Sequence, residues 1–198
     1  MARKPVTVFL IKVVPLFFLF LYLWEARGMS ALYHRLLAQV LDAIYPTLDP
    51  TGTVARVLAE GHDLMFGLVL GADRVALRVN ATDITSNMAM LIALYLASPI
   101  RRWKRFAVWM SCALVALFAV HVVTAVTVSQ EALMSNPRVM AGSPFTHAQL
   151  VAVPRYNVFY EEMGMYLIVL LMWFPYLVAR IVEARRAVDT GVAVTEKG

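Results

Sequence analysis

Few side chains in this sequence could do chemistry, and those that could sit beside or within long apolar runs. Thr82 and Asp83 stand in the polar stretch Asn80-Ala81-Thr82-Asp83-Ile84-Thr85-Ser86-Asn87, ahead of an apolar segment. Glu161 and Glu162 form a carboxylate pair ahead of another. His121 lies inside a third, where a histidine could relay a proton, bind a metal or bond a neighbouring carbonyl. A hydroxyl nucleophile, paired carboxylates and an imidazole are the parts of an acid–base hydrolase or acyl-transfer site, provided they converge within hydrogen-bond reach. The same residues have a simpler use. Thr82 or Asp83 can cap a helix, and acids at positions 161–162 suit a helix N-terminus. Cys112 is the only cysteine, which excludes an intramolecular disulfide, a cysteine zinc cluster and a CxxC redox pair. It reads as a small packing residue, and Lys12 as a side chain that snorkels to a headgroup layer. No cofactor motif and no metal-ligand spacing is present.

The elements that must position these residues are membrane helices. Of 198 residues, 61% are hydrophobic and 16% charged, with a mean hydropathy of +0.68. Soluble domains are roughly 45–50% apolar and about 25% charged, so this chain needs lipid. The net charge of +5 comes from short basic clusters flanking apolar runs, a pattern of membrane orientation and not of nucleic-acid binding. Four spans are expected, over 6–24, 84–100, 106–128 and 163–179, within one membrane domain covering 1–186, followed by a tail at 187–198. The first span is too long for a signal-peptide core and lacks a cleavage motif, so it reads as an uncleaved anchor. Residues 1–4, the turn Arg101-Arg102-Trp103-Lys104-Arg105 and the segment from 180 onward hold 10 basic residues in 28 positions. The connections 25–82 and 129–160 hold 7 in 90. This asymmetry predicts cytoplasmic termini and outward-facing long connections, as for a multi-pass protein of the bacterial inner membrane.

Within 25–82, Tyr33, Leu36, Leu37, Val40, Leu41 and Ile44 recur at helical spacing. They predict an amphipathic helix lying in the outer interface and ended by Pro46 and Pro50, with Leu37, Leu41 and Ile44 buried in lipid or against the bundle. Val54–Glu60 reads as a second short helix, and 65–70 with 74–80 as a β-hairpin around Gly71. The three prolines of 129–160 predict an irregular loop. The fold class is therefore all-α integral membrane protein, four transmembrane helices plus a periplasmic amphipathic helix and a small hairpin.

This layout, with a helix ending in Leu94-Tyr95-Leu96-Ala97-Ser98-Pro99 and followed by the basic turn, resembles the exosortase/archaeosortase group of membrane transpeptidases. In that family a cysteine opens the corresponding helix, an arginine stands in the next, and a histidine lies near the last. Those positions fall near Thr82, near 121–123 and near Glu161–Glu162 in this sequence, and none of the three residue types is present. A sortase-type reaction needs an activated thiolate. The chain is therefore more similar to the exosortase H-associated membrane proteins. That resemblance implies a non-catalytic accessory role in sorting or processing exported proteins, with the bilayer and a membrane-protein partner and without nucleic acid. A divergent transpeptidase or hydrolase using an outer polar pocket, and a structural subunit of a larger membrane complex, are the alternatives. Ala107, Ser111 and Ala119 would offer the latter a packing stripe.

Overall fold

In the computed structural model, residues 5–26, 28–99, 102–142 and 144–189 are described. Arg3, Lys4, Arg101, Lys197 and most of the expected tail lie outside the described residues. Helix α1 (Pro5–Ala26) leads into α2 (Met29–Leu48), then strands β1 (Val54–Glu60), β2 (Asp63–Leu70) and β3 (Asp73–Asn80). Helices α3 (Ala81–Thr85), α4 (Asn87–Ala97), α5 (Trp103–Met134), α6 (Pro137–Met140) and α7 (His147–Phe159) follow. A π-helical segment (Tyr160–Gly164) then runs into α8 (Met165–Asp189).

Three stretches are long and apolar enough to cross a membrane: Thr7–Ala26, Trp103–Met134 and the continuous helix His147–Glu183. Their outward surfaces carry Phe18, Tyr22, Val115, Leu171 and Phe174, each at least half exposed. An apolar coat of this kind belongs to a membrane-embedded protein. The expected second span, 84–100, is shorter. Ala81–Ala97 is broken at Ser86 into α3 and the 11-residue α4, together about 26 Å at 1.5 Å per residue. Helix α4 packs between α1 and α8, with Leu91, Leu94 and Tyr95 buried.

The connections 25–82 and 129–160 depart from the sequence expectation in three ways. Residues 54–60 form a strand, not a helix, so the expected hairpin is the second half of a three-stranded antiparallel sheet in the order β1-β2-β3. The helix-like spacing of Val54 and Val57 has a structural origin. A register shift between Val54 and Arg56 sets an extra residue against β2, which turns both valines toward the core. Gly61 and Gly71, at φ 61° and 67°, supply the left-handed turns joining the strands. Second, α2 does not end at Pro46, and its apolar face, expected in lipid or against the bundle, is covered by protein. Leu37, Leu41 and Tyr45 are fully buried against Leu64 and Phe66 of β2 and against α5. Each such leucine stabilises the fold by about 1.5–3 kcal/mol. The helix runs through Pro46 to Leu48, with Asp49 as its C-cap. Third, 129–160 is mostly helical. α5 runs on to Met134, Pro137 occupies the first turn of α6, and α7 starts on a Thr146/Gln149 capping box.

Candidate functional site

The segment joining the sheet to α4 positions the first candidates. Asn80 ends β3 and caps α3, its side-chain oxygen accepting from the Thr82 amide at 3.0 Å. Capping therefore belongs to Asn80, and neither Thr82 nor Asp83 performs it. The Thr82 hydroxyl lies 3.4 Å from Nδ1 of exposed His62 in the β1–β2 turn. Asp83 is exposed.

Glu161 and Glu162 do not open a helix either. They lie within the π-helical segment, part of one uninterrupted helix from His147, so no helix N-terminus stabilises them. The wide turn leaves no room for a side chain at position 164. Gly164 is buried, and a Cβ there would come within 2.9 Å of the Phe159 ring and 3.1 Å of the Phe159 carbonyl. π-bulges of this kind recur at functional sites.

Asp83 and Glu161 share one cleft of about 230 Å³ between the end of β3, α3, α5 and the π segment. Arg78, Asn80, Thr124, Asn157 and Tyr160 also border it. Behind it lies a polar ladder that joins α5 to α7. Thr124 and Tyr156 share a hydroxyl contact of 2.9 Å, Thr127 donates to Asn157 at 2.7 Å, and Asn157 donates to Glu131 at 2.6 Å.

His121 is fully buried and does not border the cleft. Its hydrogen bonds can be assigned by elimination. The Asn87 amide donates to the Met165 carbonyl at 3.3 Å, so the Asn87 oxygen is free to accept. His121 Nε2–H fills it at 2.8 Å. In a neutral imidazole Nδ1 is then an acceptor, and the Tyr33 hydroxyl donates to it at 2.6 Å. Asn87 also donates to the Tyr160 oxygen at 3.3 Å, and Tyr160 donates to the Ile84 carbonyl at 2.7 Å. The run of donors therefore ends on a backbone carbonyl, with both ring nitrogens of His121 occupied. Tyr33 belongs to α2, outside the spans, and its burial pushes the hydroxyl far above the usual tyrosine range.

A second buried histidine lies close by. His34, also on α2, donates from Nε2 to Thr85 at 2.9 Å, because the Thr85 hydroxyl is committed to the Ala81 carbonyl. Among the described residues its Nδ1 has no partner at bonding geometry, and burial, against a smaller opposing pull from the Gly61 backbone, holds its pKa below the ordinary value. Among the described residues, no group of three or more His, Cys, Asp or Glu side chains is placed to hold a metal.

The structure thus brings Asp83 and Glu161 together and separates both from His121, while Glu162 is exposed and outside the cleft. Cys112 is exposed on the flank of α5 and is not a packing residue. Sequence reasoning missed Tyr33, Tyr160 and Asn157. Tyr33 read as one more apolar position of α2, and the other two as part of an irregular loop. The available signal was the spacing of Tyr156 and Asn157, four and three residues before Tyr160, which places each of them on the same helix face as Tyr160.

The chain matches no protein-family model, no curated protein and no solved structure.

Proposed function

We propose that this chain is a non-catalytic accessory membrane protein of an exosortase-type protein sorting system. In this reading it crosses the bacterial inner membrane four times, with Ala81–Ala97 as the short second crossing and both termini in the cytoplasm. The observation that carries the reading is the saturation of His121 by Tyr33 and Asn87, which leaves it no free nitrogen to serve Thr82 or the cleft. The Thr82 hydroxyl has the exposed His62 ring near it at 3.4 Å, beyond the roughly 2.6–3.2 Å over which a base takes a proton, and so is a poor nucleophile at neutral pH. The layout of the cleft also supports the family resemblance. Asp83, Thr124 and Glu161, which border it, lie beside or within one turn of the three positions that carry catalysis in exosortases.

One observation favours a second reading, a divergent hydrolase. Asp83 and Glu161 face the same cleft, as a carboxylate pair must for acid–base work. Two experiments separate the readings. Affinity purification in mild detergent should bring down a membrane sorting enzyme, and recovery of a lone monomer with hydrolytic activity would overturn the accessory role. At matched expression, Asp83→Asn and Glu161→Gln should leave sorting intact, whereas normal stability with sorting abolished marks a catalytic pair. Orientation is tested in a Cys112→Ala background, since that thiol is exposed. Cysteines at Gly52 and Gly142 should react with an impermeant reagent in intact cells, and one at Lys104 should not.

A further inference from the structure

The opposite end of the bundle carries a cleft that the accessory role does not use. Two of the spanning stretches end at the same level, one beginning at Trp103 and the other finishing at Glu183. Between them opens a cleft of about 430 Å³, bordered by Lys104, Arg105, Val108, Trp109 and Glu183. Arg102 and Arg180 border the adjoining hollow. Four cations thus surround one carboxylate. Glu183 takes Arg105 on one oxygen at 2.5 Å and Arg180 on the other at 2.6 Å, so it is fully used and still leaves the positive charge in excess. Among the described residues, the buried Arg180 Nε has no hydrogen-bond partner. The floor of the cleft runs onto lipid-facing apolar surface at Val108, which is 62% exposed. Trp103, 65% exposed, begins the same helix, as tryptophan does at membrane interfaces.

We infer that this cleft binds the phosphodiester headgroup of an anionic phospholipid, with its acyl chains lying along Val108 and Trp109. Basic pockets between membrane helices recognise headgroups in this way, each lysine or arginine adding about a factor of five in affinity. Guanidinium groups suit phosphate because they donate from a planar fork. The apolar floor is what distinguishes a phospholipid from free phosphate.

The test uses the full chain, purified and delipidated, in phosphatidylcholine nanodiscs with and without phosphatidylglycerol. Native mass spectrometry reads the retained lipid, and thermal unfolding reads the protection it gives. Phosphatidylglycerol should be retained in preference to phosphatidylcholine and should raise the unfolding temperature. Arg102→Gln, at an exposed position, should weaken retention about fivefold, and Arg102→Gln with Arg105→Gln about thirtyfold. Equal retention of the two lipids, or unchanged selectivity in Arg102→Gln together with the double variant, would overturn the site. Inorganic phosphate protecting the protein as well as phosphatidylglycerol does would overturn its assignment to lipid.

Discussion

His121→Leu strips the centre from the buried chain that joins α2, α4 and α5. Two partners are stranded, the Tyr33 hydroxyl that donates to Nδ1 and the Asn87 oxygen that accepts from Nε2. Each unpaired buried group costs about 1–3 kcal/mol. The leucine returns about 1–2 kcal/mol through apolar burial, so the net loss should centre on about 2.5 kcal/mol, within about 0–5 kcal/mol. Tyr33→Phe supplies the sharper test, because its sign depends on the background. In the wild type it leaves Nδ1 without a donor and destabilises by about 1–2 kcal/mol. In His121→Leu it removes a hydroxyl that has already lost its acceptor, and it should restore about 1 kcal/mol or more. Unfolding by SDS in a fixed mixed micelle reads all four corners of this cycle, with Cys112→Ala at an exposed position as the reference for a change of small effect. If Tyr33→Phe cost the same in both backgrounds, the two side chains would be energetically independent and the assigned chain of donors would be wrong.

Three further outcomes follow from the same geometry. Asn80→Ala should cost about 1 kcal/mol through the lost cap of α3, and Thr82→Ala clearly less, as thermal unfolding of the two variants would show. Protonating buried His34 would charge a desolvated ring, and its folded pKa lies below that of the unfolded chain. The stability it supports is therefore complete above about pH 6.5 and declines as the pH falls below that value. Unfolding temperatures measured between pH 7 and 5 should fall for the wild type and fall less steeply for His34→Gln. Gly164→Ala forces a methyl against the ring and carbonyl of Phe159 and should cost about 1–3 kcal/mol, whereas Gly142→Ala, whose Cβ would meet nothing nearer than 3.8 Å, should be close to neutral by the same measurement.

Much of this protein was legible from residue types and spacing. Apolar runs of sufficient length mark membrane helices because unpaired backbone is intolerable in hydrocarbon, and that constraint acts within each segment. The amphipathic face of α2 and the Gly71 turn are local in the same sense. What covers an apolar face is not local. Leu37 and Leu41 would have suited lipid equally well, and only the sheet beneath them shows that protein buries them. The strand at 54–60 escaped notice for a related reason. Its bulge places Val54 and Val57 on one face at a spacing that mimics a helix, and the pairing with β2 that makes it a strand is a tertiary event. Composition likewise located His121, Asp83, Glu161 and Glu162 as polar groups near apolar helices. Whether they converge was decided by three helices meeting, which gave His121 to Tyr33 and Asn87 and left Asp83 and Glu161 facing a cleft. A side chain's chemistry is carried by its type, but its partners lie far along the chain, and only the packed structure chooses among them.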